Sequence, residues 1–155
     1  MKQTMLTLAA KEFRQIESVV PSRRKSSAAI GRRAYEVVLT YFRRKRAQVV
    51  QSPKGVDLSL RFPRSKLVKH YEIKGTEGSE LAFGKLKVSG KPSFRQLTKQ
   101  KIPLLRVLNV YSNNPIIVEM IHGQDYTLIA EPRWRVARVA PTTRSTATRQ
   151  ALRPG

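Results

Sequence analysis

The stretch GVDLSLRFPRSKLVKHYEIKGT, residues 55–76, decides how this chain folds. Val56, Leu58, Leu60 and Phe62 alternate with other residues, the two-residue period of a half-buried strand. Pro63, Arg64, Ser65 and Lys66 carry turn chemistry, and residues 67–74 read as the next strand. Two strands joined by so short a turn pair as an antiparallel hairpin. Within the second strand, residues two apart share a face, so Glu72 and Lys74 point one way and Ile73 the other. In the paired hairpin Asp57 can reach the face of Glu72.

Upstream, Ile30, Ala34, Val37, Val38, Tyr41 and Phe42 recur at three- and four-residue spacing, which predicts a helix from Ala28 to about Arg46. Ser26 or Ser27 would cap its start. Residues 48–51 form a short β segment that ends in the turn Ser52-Pro53-Lys54-Gly55. Before the helix, residues 1–20 suit a short helix and residues 21–27 (PSRRKSS) a basic linker. Downstream, residues 75–90 are loop-like, with Leu81, Phe83, Leu86 and Val88 offering a further short strand or an ordered flap. A short helix is expected over residues 93–101 with Ser93 as cap, then strands at 104–111 and 116–121, then a segment from Tyr126 to Val139. Residues 141–155, rich in Pro, Thr and Arg, are expected to form a disordered basic tail. The chain thus divides into an N-terminal helix and linker (1–27), one domain (28–140) and a tail (141–155). The order of elements predicts an α/β fold, a central mixed sheet flanked by helices.

Composition narrows the function. Thirty-one Lys and Arg against ten Asp and Glu give a formal charge of +21 over 155 residues. Such a field captures polyanions, so nucleic acid is the expected partner. No apolar run approaches the roughly 20 residues of a membrane span, and Lys11, Glu12 and Arg14 break up any signal-peptide stretch, so no membrane and a cytoplasmic location are expected. Without cysteine there is neither disulfide nor thiolate metal site. An oxygen-ligated Mg²⁺ or Mn²⁺ remains open.

Among the scarce acids, Asp57 and Glu72 converge on one face beside Lys74. Two carboxylates could hold a divalent cation, with the Ile73 carbonyl as a further oxygen, while Lys74 would steady an attacking water or the charge on phosphorus. Glu-X-Lys on an exposed strand is also an ordinary cross-strand ion pair.

At these positions the chain resembles the PD-(D/E)XK phosphodiesterases, which include restriction endonucleases and Holliday junction resolvases. "GRRAYE" (31–36) looks like the family's first helix with its acid, "GVD" (55–57) like the acid-bearing strand, and "YEIKGT" (71–76) like the (D/E)XK strand. Together with "LLRVLNV" (104–110) the pattern is most similar to the NO VEIN C-terminal-like branch found in restriction and defence proteins. The resemblance spans about Ile30 to Val110. It implies a restriction-endonuclease-like core and a Mg²⁺-dependent DNA endonuclease in restriction, phage defence or DNA processing. Glu36 would assist metal or water, Asp57 and Glu72 would ligate the metal, and Lys74 would be catalytic. Val56 stands where the nominal motif has proline, which removes no ligand. Gln96 and Gln100 are candidates for a polar helper.

The candidate DNA contacts are Arg23, Arg24 and Lys25 in the linker, Arg32 and Arg33 in the helix, and Arg43, Arg44, Lys45 and Arg46 at its end, where cations also suit the helix dipole. Trp134 between Arg133 and Arg135 either stacks on a base or packs in the core. His70 lies on the motif strand and reads either as a strand-end residue or as one at the rim of the site, and His122 before Gly123 reads as a turn residue. A homodimer or a larger complex is compatible with the pattern. The competing reading is a non-catalytic basic nucleic-acid-binding or assembly subunit, indifferent to Mg²⁺.

Overall fold

A computed structural model describes residues 1–131 and 136–140. Its centre is a six-stranded open mixed sheet in the order β1-β6-β5-β4-β3-β2. The strands are β1 (Lys2–Met5), β2 (Gln48–Val50), β3 (Leu58–Arg61), β4 (Val68–Gly75), β5 (Leu104–Leu108) and β6 (Ile116–Met120). β4 and β5 run parallel, and every other neighbouring pair is antiparallel. Three helices complete the α/β architecture: α1 (Ala10–Val19), α2 (Ser27–Arg44) and α3 (Lys91–Thr98).

α2 forms where the periodicity places it. Ser26 caps it, its Oγ accepting the Ala29 amide hydrogen at 3.1 Å. Ala34, Val37 and Val38 are wholly buried against the sheet with Leu58, Leu60, Tyr71, Ile73, Leu105 and Val107. Burial of each Val or Leu of this kind contributes about 1.5–3 kcal/mol. Phe42 packs on Tyr71 and Phe62, with ring centroids 5.2 and 5.7 Å apart. At the other end of the helix Gly75 lets α2 settle on β4: a Cβ there would lie 2.7 Å from the Ala34 Cβ and 2.9 Å from the Ile30 carbonyl oxygen.

The opposite face of the sheet is covered more thinly. Leu104, Leu108, Val118 and Met120 pack under Leu97 of α3, Ile102, and the partly buried Leu81, Leu86, Val88, Tyr126 and Leu128. Residues 81–90 form no strand; they hold a single 3₁₀ turn at Phe83–Lys85. α3 starts at Lys91 with Gly90 as its cap and Pro92 in its first turn, so Ser93 does not cap it.

The N-terminal segment departs from expectation. It opens with an edge strand, β1, that pairs with β6 from Lys2↔Glu119 to Met5↔Ile116. Leu6, Leu8 and Ile16 join the core beneath α2. Glu12 ties the two helices together, accepting from the Ala9 amide and from the Arg44 guanidinium, which also donates to the Thr7 carbonyl. Leu6, Leu8 and Ile16 of the first 20 residues are therefore built into the same core as the rest. Among the described residues no helix is long and apolar enough to cross a membrane.

Candidate active site

The β3–β4 register runs from Leu58↔Tyr71 to Arg61↔Val68. One step beyond it, the Asp57 amide donates to the Tyr71 carbonyl at 3.1 Å, which sets Asp57 opposite Glu72. The Asp57 carboxylate then accepts the Ile73 amide hydrogen through Oδ2 at 2.8 Å. Gly55 makes this entry possible: its φ is +84°, and a Cβ would lie 2.5 Å from the Pro92 carbonyl carbon at the start of α3.

Glu72 is the anomaly of the site. It is 3% exposed; Oε1 lies 3.4 Å from the Lys74 Nζ, while the buried Oε2 has no hydrogen-bond partner. Burial, and then the Asp57 carboxylate, push its pKa up to about 7, with Lys74 pulling the other way. Ionised, the pair places two negative charges side by side, with the Lys74 ammonium on one oxygen of Glu72. That is a donor set suited to a divalent cation. Mg²⁺ is commonly held by one or two carboxylates and keeps several waters, so two acids suffice.

Two further residues, unmarked by the local sequence pattern, lie beside this pair. Arg106 of β5 stands opposite Lys74 in the parallel register. It is 5% exposed, donates through Nη1 to the Gly75 carbonyl at 3.0 Å, and keeps Nε without a partner. The parity of Leu104, Arg106 and Leu108 signals its face, but only the β4–β5 pairing brings it to Lys74. Tyr126 has a buried hydroxyl with no partner, held protonated with a pKa near 12 by burial and then by the Glu72 and Asp125 charges. It follows a turn with no strand signal, so nothing local marked it.

Ile73, whose carbonyl is the expected further oxygen, turns its side chain into the helix-side core and donates its amide to Asp57. Glu36 is half-buried on α2, and the described residues contain no cluster of three or more acids or histidines placed to hold an ion. Its charge and that of Asp57 both raise the phenol pKa of Tyr35, after burial, with Arg43 opposing. His70 shares the Glu72 face, but its Nδ1 lies 2.6 Å from the hydroxyl of the buried Ser59. Gln96 is half-buried within α3, and Gln100 is exposed past its end.

One proposed DNA contact is wrong. Arg33 is wholly buried: Nε donates to the Val110 carbonyl and Nη1 to the Val20 carbonyl, both at 2.7 Å, and Nη1 pairs with Glu17 at 2.6 Å. Its guanidinium also lies over the Phe13 and Tyr111 rings. It is an internal strut that no phosphate can reach. Arg44 is exposed but clamped by Glu12, and Lys25 leans on Glu77 at 3.7 Å. Arg23, Arg24, Arg32, Arg43, Lys45 and Arg46 are exposed. Arg133, Trp134, Arg135 and the 141–155 tail lie outside the described residues. No protein-family model, curated protein or solved structure matches the chain.

Proposed function

We propose that this chain is a Mg²⁺- or Mn²⁺-dependent phosphodiesterase acting on DNA, of the PD-(D/E)XK type that its motifs resemble. The observation that carries the reading is the buried, unpartnered Oε2 of Glu72 beside the Asp57 carboxylate, with the Lys74 ammonium on the same face. Asp57 and Glu72 would hold the ion, which when bound supplies an acidified water and neutralises phosphate charge. Lys74 reaches out from the same strand, positioned to hydrogen-bond the attacking water or an oxygen of the phosphoryl group. Arg106, fixed by the Gly75 carbonyl, adds positive charge beside it, and Tyr126 can donate a hydrogen bond without ionising. The exposed arginines and the +21 formal charge support sequence-independent grip on the DNA backbone.

Within this reading the six-stranded sheet is a restriction-endonuclease-like core, and restriction, phage defence or DNA processing in the cytoplasm is the setting it suggests. That no third acid or histidine joins the pair in an ion-holding cluster among the described residues favours a second reading: a DNA-holding subunit without cleavage. Incubation with supercoiled, linear, branched and single-stranded DNA in Mg²⁺ or Mn²⁺, beside Lys74→Ala, separates the two. Metal-dependent cleavage lost in the variant supports the first, whereas binding without cleavage under every condition overturns it. Light scattering of the same preparations tests for a dimer.

A further inference from the structure

On the helix side of the sheet, away from Glu72 and Lys74, α2 ends before the sheet does. Past its last turn lies a cavity of about 140 Å³ walled by Tyr41, Phe62 and Tyr71 and ringed by Lys2, Lys45 and Lys69. A cavity of this size takes one small group, since a void of about 150 Å³ accommodates a single benzene ring. The lysines come from three distant parts of the chain: the edge strand β1, the C-cap of α2 and strand β4. Lys45 stands 4.5 Å over the Tyr41 ring and Lys69 5.3 Å over the Phe62 ring, so aromatic faces hold both ammonium groups. None of the three forms an ion pair with an acid among the described residues.

The charges facing the cavity select the ligand. Against three ammonium groups stands the Glu119 carboxylate. About two positive charges remain, the match of a phosphate monoester at about −1.5 to −2 rather than of a singly charged diester. We infer that this cavity binds a phosphate monoester, held by Lys2, Lys45 and Lys69 with the Tyr71 hydroxyl as a neutral donor. Burial, then Glu119 and Tyr41, push the Tyr71 hydroxyl up to about 12, so it stays protonated at neutral pH. Lysine ammonium groups serve such a site as point charges. The monoester is either the terminal phosphate of a nucleic-acid strand or a free small phosphate. The site does not depend on the carboxylate pair.

The test is fluorescence anisotropy of a short single-stranded oligonucleotide carrying a 5′-phosphate, a 3′-phosphate or hydroxyl ends, with competition by adenosine 5′-monophosphate and inorganic phosphate. Tighter binding of a phosphorylated oligonucleotide by tenfold or more over the hydroxyl form, lost in Lys45→Ala/Lys69→Ala, establishes a strand terminus as the ligand. Equal binding of the oligonucleotides, with nucleotide or phosphate shifting the Lys45 and Lys69 amide resonances of the parent protein, establishes a free phosphate. Tyr71→Phe weakens either interaction several-fold. Both lysines are exposed, so the double variant keeps its fold, checked by its melting curve. Equal binding of all oligonucleotides with no resonance shifted by either phosphate overturns the inference.

Discussion

The Asp57 carboxylate accepts the backbone amide of Ile73 at 2.8 Å, one residue from Glu72 on one side and from Lys74 on the other. This bond fastens the end of β3 to the middle of β4 and fixes where the second acid stands. Since the Asp57 amide also donates to Tyr71, the residue grips β4 on both sides of Glu72. The relationship joins sequence to chemistry: a hairpin register places one acid, and the acid's own hydrogen bond holds it there.

Replacement of Lys74 by Ala, or of Asp57 by Asn, is expected to lower metal-dependent DNA cleavage at least about 100-fold, the usual scale for losing one electrostatic group at a reacting phosphate. DNA affinity should stay within about threefold, because the exposed arginines supply it. Plasmid nicking rates and gel-shift titrations of the same preparations measure the two effects. Parallel loss of binding and cleavage would place these residues in the DNA grip instead.

Arg33→Ala is expected to cost about 3–5 kcal/mol, since it leaves Glu17 and two buried carbonyls without their partner. Urea denaturation measures it. A loss under about 1 kcal/mol, accompanied by weakened DNA binding, would return Arg33 to the surface role that its charge suggests.

Gly75→Ala should cost about 1–3 kcal/mol, because the new methyl group meets the Ala34 Cβ and the Ile30 carbonyl, and α2 has to shift. The melting temperature and the Tyr35 and Ala34 amide shifts report it.

Without bound metal, stability should depend on Glu72. Its pKa is raised on folding from 4.5 to about 7, so the folded state prefers the protonated carboxyl. The contribution is complete below pH 4.5 and is lost as pH rises through about 7, a total on the order of 3 kcal/mol. Glu72→Gln removes that slope, and Mg²⁺ offsets it above pH 7 in the parent protein. Urea midpoints between pH 4.5 and 8.5 decide the matter; superimposable profiles for parent and Glu72→Gln would refute it.

The elements with a strong period were readable: α2 from its apolar stripe and Ser26 cap, the β3–β4 hairpin from Leu58, Leu60 and the Pro63 turn. β1 was not, because its four residues are mostly exposed and show no alternation. The charge of Arg33 suggests the surface, but positions 30, 33, 34, 37 and 38 lie on one helical stripe, and that spacing is the signal of its burial. Asp57, Glu72 and Lys74 could be placed together because a hairpin is local. Arg106 and Tyr126 could not, since they come beside the carboxylate pair through a parallel pairing and a turn distant in sequence.

The central claim is that Asp57 and Glu72 form a cation site, and Mn²⁺ binding measures it most directly. Titration of the parent protein at pH 7.5, followed by paramagnetic broadening of amide resonances, should saturate at one ion with broadening centred on residues 57, 72 and 73. Asp57→Asn/Glu72→Gln should abolish it while leaving the melting curve cooperative. Broadening of equal strength in the double variant, or broadening centred elsewhere, would contradict the account.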